Sequence, residues 1–193
     1  HGIDCEIINH DKSEHKEKIA AENNQETFGN LSSLLKCFEV AKKDQSDLIY
    51  FVEDDYLHYE HSLVDMLNTY ERVSSQHKDE IIVCPSDYPF NYMNNEKTNI
   101  LIGSQQHWRT ITKMLCTFMI SKKMFQKHID NFEKTCEKRH EPFEKYLNKI
   151  LEKEIGISPI KSLAIHMTNV NSSYGLSPFI DIKKLWEENK IDQ

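Results

Sequence analysis

No stretch of this sequence is apolar for the roughly 18 residues a membrane-spanning helix needs, and no segment has the charged, apolar and small-residue sections of a secretory signal. Long basic runs are absent too. Lys and Arg number 24 against 31 Asp and Glu, a formal net charge of −7. That balance argues against nucleic acid or an anionic membrane as the main partner, and leaves room for a small phosphorylated ligand held by a few local cations. Glycine is scarce, at 5 residues, and forms no phosphate-cradling loop. Cysteine is equally scarce: Cys5, Cys37, Cys84, Cys116 and Cys136 are scattered, and no pair has the close spacing of a zinc site. They read as reduced, mostly buried thiols of a cytoplasmic protein. The sequons Asn30-Leu31-Ser32 and Asn171-Ser172-Ser173 carry little weight in that compartment. No repeat, linker or low-complexity segment interrupts the 193 residues, so the chain reads as a single domain, 1–193, with a sizeable core.

What is present is an alternation of short apolar runs and amphipathic segments. Strands are predicted over Ile3–Asn9, Leu48–Val52, Glu80–Cys84, Asn99–Ile102, Cys116–Ile120 and Ser162–Met167. Helical spacing marks Leu31, Leu34, Leu35, Phe38 and Ala41 behind an Asn30 cap, then Leu63, Met66, Leu67, Tyr70 and Val73. Further helices are predicted from Ser121 to Ile129, around Phe143–Leu151 with Glu141-Pro142 in the first turn, and over Asp181–Asn189. Gly103–Lys113 and Ser86–Thr98 read as polar loops, and Glu14–Ala21 as an exposed helix or loop. The early β-α-β-α-β order implies an α/β sandwich with a mostly parallel central sheet.

The chemistry concentrates after the second predicted strand. Leu48-Ile49-Tyr50-Phe51-Val52 runs directly into Glu53-Asp54-Asp55. A continuous apolar run reads as a strand buried on both faces, and ligands bind at the carboxyl ends of strands in open α/β sheets. Adjacent acids repel one another, and a divalent cation with a preference for carboxylate oxygen offsets that charge most simply.

In this order, four features resemble a nucleotide-sugar glycosyltransferase of the GT-A fold, family 2-like. They are Glu6–Ser13 with its Asp11-Lys12-Ser13 end, the Asn23–Asn30 segment, the Val52-Glu53-Asp54-Asp55-Tyr56 acidic motif, and His166 ahead of the Asn169–Pro178 segment. The resemblance implies a Rossmann-like α/β/α domain with a further strand and helix ahead of Ile3. It implies metal-dependent transfer of a sugar from a nucleotide-sugar donor, uridine diphosphate-linked by expectation, to a glycan or lipid-linked acceptor. A peripheral position at the inner membrane face would follow from such an acceptor.

Carried over residue by residue, Asp55 and His166 would ligate Mn²⁺ or Mg²⁺. Glu53 and Asp54 would hold metal-bound water or the ribose. Asp11, Asn24 and Asn30 would contact the nucleoside, Arg109 the diphosphate, and Trp108 an acceptor sugar. Inverting transfer needs a base to take the acceptor's proton. Glu141 fits that role first, Glu144 second and Asp87 third; a retaining reaction needs none. Tyr88, Phe90 and Tyr92 would form an acceptor platform, with Tyr174 and Gly175–Pro178 closing over the donor. Plainer readings stand beside these: a strand-end turn acid for Asp11, a helix cap for Asn30, a dipole-complementing acid for Glu141, exposed helix-start residues for His58 and His61, and a surface loop for Trp108 and Arg109. Two other functions also fit, a nucleotidyltransferase and a non-catalytic scaffold or glycan-binding module.

Overall fold

A computed structural model describes residues 5–19, 22–171 and 176–190. Residues 5–9 carry no strand, so the predicted first strand does not form there. A single 3-10 turn, Lys12–His15, follows. It is capped by Asp11, whose carboxylate accepts from the Ser13 N–H at 2.8 Å. His15 and Ile19 are buried, where the sequence reading has an exposed segment.

Helix α1, Gln25–Lys43, starts five residues before the expected cap. Asn24 is the true cap and accepts from the Thr27 N–H at 2.9 Å, satisfying one of the helix's orphan donors. Asn30 lies inside the helix, on its exposed face. Strand β1 is Leu48–Phe51 and β2 is Tyr56–His58; α2 is Ser62–His77 and β3 is Ile81–Val83. A hairpin follows from β4, Ile100–Ile102, and β5, His107–Ile111. Strand β6, Phe118–Ser121, ends in α3, Lys122–Lys127, with the Ser121 hydroxyl accepting from the Met124 N–H at 3.1 Å, as the sequence predicts. The rest comprises α4, Ile129–Thr135, α5, Lys145–Leu151, β7, Ile155–Pro159, β8, Ala164–His166, and α6, Ile182–Glu188.

Six strands form one sheet in the order β1-β6-β3-β7-β5-β4, and β2 pairs with β8 in a separate antiparallel ribbon. Among the described residues only β3 and β7 pair in parallel. The sequence expectation of a mostly parallel sheet is thus corrected to a mixed one. Strands β1, β3 and β7 do run in the same direction, but β6 inserts antiparallel between β1 and β3. Strand β1 is consequently an edge strand and only half-buried over Leu48–Tyr50, not covered on both faces.

Strand alternation assigns side chains to two cores. Ile82, Phe118 and Ile120 point to one face, where Phe38, Phe51, Phe125 and Phe132 pack with α1, α3 and α4. Phe38 meets Phe51 edge-on at 5.2 Å and Phe132 at 5.1 Å between ring centroids, the geometry that aromatic quadrupoles favour. Ile81, Val83 and Met119 point to the other face, against Met66 and Val73 of α2. Trp108 belongs to this second core at 0% exposure, on β5 and not in a polar loop. Its indole covers Gly103, where a Cβ would come within 2.2 Å of the ring, so only glycine fits beneath it. Cys84, Cys116 and Cys136 are buried free thiols, whereas Cys5 and Cys37 are exposed.

Candidate functional site

The end of β1 and the end of β8 converge. Tyr56 sits directly opposite His166 in the β2–β8 ribbon, which places Asp55 beside the imidazole. His166 Nε2 lies 2.7 Å from Asp55 Oδ2, across 111 residues of sequence. With the proton on Nε2, the ring donates to the carboxylate, and the Thr168 hydroxyl lies 3.0 Å from Nδ1. Tyr56 stacks on the imidazole, centroids 4.9 Å apart and planes 11° from parallel. The Tyr56 hydroxyl in turn bonds that of Tyr88 at 2.8 Å. His166 is therefore fixed by a carboxylate, a hydroxyl and a ring face.

Glu53 is held from the neighbouring strand. Its N–H donates to Thr117 Oγ1 at 3.0 Å, and the Thr117 hydroxyl lies 3.3 Å from its carboxylate. Burial, then the Asp55 charge, pushes the Glu53 carboxyl up to about 7. Asp54 is exposed. Glu144 joins the group, although sequence reasoning ranks it second. Helix α5 begins at Lys145, four residues past Glu141, so Glu144 occupies the cap position and Glu141 stays outside on the surface. Glu144 is half-buried; its carboxyl is raised by burial and lowered by His166, and it acts electrostatically on Glu53. The Pro142 signal points to the wrong end of this turn. The correct one carries no helical pattern until Leu147.

Glu53, Asp54, Asp55 and Glu144 thus form an acidic cluster near one imidazole, each of the other three acids acting electrostatically on Glu53. Among the described residues no three His, Cys, Asp or Glu side chains already converge on a metal-sized point. The donor chemistry nonetheless suits Mg²⁺ or Mn²⁺. Asp55 is 40% exposed and His166 18%, so a cation could reach both, and such ions keep water and substrate phosphates as their remaining ligands.

The other expected site residues fall elsewhere. Asp11 and Asn24 serve as local caps. Lys12, Ser13 and Asn24 line a cavity of about 550 Å³ at the start of α1. Another, of about 640 Å³, lies between α1, residues 8–10 and β1. It stops at Val52, one residue short of Glu53, and none of Glu53, Asp54, Asp55 and Glu144 lines either cavity. Arg109 is a buried β5 residue whose guanidinium donates to Asp87 and lies 4.2 Å over the Tyr92 ring. Asp87 also accepts from Tyr92 at 2.5 Å and Ser177 at 2.6 Å, which ties the loop after β3 to the C-terminal segment. Tyr174 and Gly175 lie outside the described residues.

Compared with known protein families and with curated sequences, the chain matches neither a family model nor a curated protein. Among the described residues no helix is long and apolar enough to cross a membrane.

Proposed function

We propose that the chain is a metal-dependent glycosyltransferase with a GT-A-like domain, acting on a nucleotide-sugar donor and a glycan or lipid-linked acceptor. The observation that supports it most is the meeting of Asp55 and His166 at 2.7 Å, from opposite ends of the sequence, inside a cluster of carboxylates. A bound Mn²⁺ or Mg²⁺ would stabilise the charge developing on a departing diphosphate. Asp55 and His166 would hold that cation, and Glu53 and Asp54 would orient its water or the ribose. Stacked Tyr56 keeps the imidazole in place. Glu144, whose carboxyl is raised by burial, would take the acceptor's proton.

A non-catalytic module of the same architecture is the second reading. It draws on one observation, that Asp55 and His166 bond each other and, among the described residues, no third His, Cys, Asp or Glu joins them as a ligand. Calorimetric titration with a panel of nucleoside diphosphates, with and without Mn²⁺, separates the two. Binding that requires Mn²⁺ and is lost in Asp55→Ala supports the transferase. Nucleotide-free behaviour throughout supports the module.

A further inference from the structure

Strand β1 is an edge of the six-stranded sheet, and the direction of its backbone groups can be assigned residue by residue. The Lys122 N–H donates to the Asp47 carbonyl at 2.8 Å, and this pair continues the β1–β6 register by one step. Hydrogen-bonded pairs alternate along an antiparallel ladder. Ile49 and Phe51 therefore bond β6, while the N–H and C=O groups of Leu48, Tyr50 and Val52 point outward. Among the described residues none of those outward groups has a hydrogen-bond partner. Such a rim is a template for another strand, and edges are usually blunted with charge or proline. Leu48-Ile49-Tyr50-Phe51-Val52 carries neither.

The cavity of about 640 Å³ lies along this rim. Side chains from both faces of β1 line it: Ile49 and Phe51, which belong to the first core, and Leu48 and Tyr50, which pack against the second. It therefore continues the plane of the sheet. Its floor is α1, through Cys37, Val40 and Ala41, and its far wall is Ile8 and His10. The His10 ring is tied to the Ser32 hydroxyl of α1 at 3.2 Å, which holds that wall in place. Residues 5–9 form no strand, and Ile7 and Ile8 are 83% and 43% exposed. The charged residues at the border are committed, Lys36 to Glu14 and Asp44 to the Ser46 N–H, so nothing there selects a charged ligand. One strand residue in a packed sheet takes about 4.8 × 3.3 × 10 Å, or about 160 Å³. The cavity thus has room for about four residues, the length of β1.

We propose that this slot takes up an extended segment of a partner protein, which adds to the free edge of β1 as a further strand. Main-chain hydrogen bonds to Leu48, Tyr50 and Val52 hold it, and its alternate apolar side chains rest on Val40 and Ala41. Four residues of extended chain carry about 650 Å² of surface. With one side left open, the segment and its slot together bury about 1,000 Å², the lower bound for a specific interface, so the binding is weak and reversible. The wall at Ile8 and His10 bars a strand that is already built into a folded sheet, such as β1 of a second copy; a free segment meets no such bar. The slot is separate from the acids and owes nothing to the glycosyltransferase reading.

The test is amide hydrogen exchange of the ¹⁵N-labelled chain, read by NMR, with a synthetic heptapeptide of alternating valine and threonine. Its fully N-methylated analogue, which keeps the side chains and has no N–H to donate, is the control. The heptapeptide should slow exchange at Leu48, Tyr50 and Val52 by about tenfold or more and leave Ile49 and Phe51, already bonded to β6, unchanged. The analogue should not bind. Val52→Pro removes one outward donor at an edge position, where proline is tolerated, and should weaken the heptapeptide about two- to tenfold. Val40→Glu puts a charge on the slot floor at a partly exposed helix position; it should weaken binding at least as much with an unchanged melting temperature. No binding, equal binding of the N-methylated analogue, protection at other amides only, or binding untouched by Val40→Glu would overturn the proposal. Slow exchange at Leu48, Tyr50 and Val52 in the free monomer would also overturn it, because residues 5–9 would then fill the slot. The same protection in a dimer seen by sedimentation would make a second copy the occupant and overturn it too.

Discussion

Replacing Asp87 with alanine tests whether the Asp87–Arg109 pair is structural. The Asp87 side chain is fully buried and that of Arg109 is 10% exposed. Burial raises the Asp87 carboxyl even with a guanidinium beside it, so the ionised pair is not itself a strong stabiliser. Breaking it is another matter. Asp87→Ala leaves a buried guanidinium without its counter-ion, which costs about 3–5 kcal/mol. The hydroxyls of Tyr92 and Ser177 also lose their acceptor. For a chain of this length each kcal/mol moves the melting temperature by about 2–4 °C, so the variant should melt about 6–20 °C lower. Urea unfolding followed by tryptophan fluorescence reads the change, because Trp108 is buried. Adding Arg109→Met removes the stranded charge, and the double variant should regain at least half of the loss. A loss below about 1 kcal/mol in Asp87→Ala, or a double variant as unstable as the sum of the singles, would refute the reasoning.

Three further outcomes are expected. Glu144→Gln should lower sugar transfer by about 10²-fold or more if it is the base, whereas Glu141→Gln should stay within about twofold; assays at saturating donor compare them. His58 is held below its ordinary value of 6.5 by burial, and its Nε2 meets the Tyr50 hydroxyl at 2.6 Å. The unfolded chain therefore takes up that proton first, and stability falls as pH drops from about 6.5. His58→Gln should flatten this part of the pH–stability curve, as measured by urea unfolding in steps from pH 7.5 to pH 5. Thr117→Val removes the hydroxyl that binds Glu53 on both its N–H and its carboxylate, and should reduce stability by about 1–2 kcal/mol in denaturant unfolding.

Much of the fold is legible locally. Strands β1, β3, β4, β6 and β8 announce themselves as short apolar runs, and α1 and α2 through helical spacing. The convergence of Glu53–Asp55 with His166 is also anticipated, by resemblance and not by any local pattern. What escapes depends on distant partners. His107-Trp108-Arg109-Thr110 reads as a loop because it is polar; it forms a strand between β4 and β7, with Trp108 in the second core and Arg109 paired to Asp87, 22 residues away. Strand direction escapes because the segment that pairs with β1 comes nearly 70 residues later, as β6. The ribbon strand β2 is three residues long, too short for a periodic signal. The nearness of Glu144 to Glu53 and His166 is hidden because no spacing encodes it.

On the proposed function, Asp55 and His166 together hold a divalent cation on which nucleotide binding depends. The most direct measurement is the paramagnetic resonance signal of free Mn²⁺, titrated with the chain in the presence of uridine diphosphate. The wild-type chain should deplete the signal at one ion per molecule, uridine diphosphate should tighten this uptake, and Asp55→Ala and His166→Ala should each restore the free signal. An undiminished signal with the wild-type chain, or equal uptake by Asp55→Ala, would contradict it.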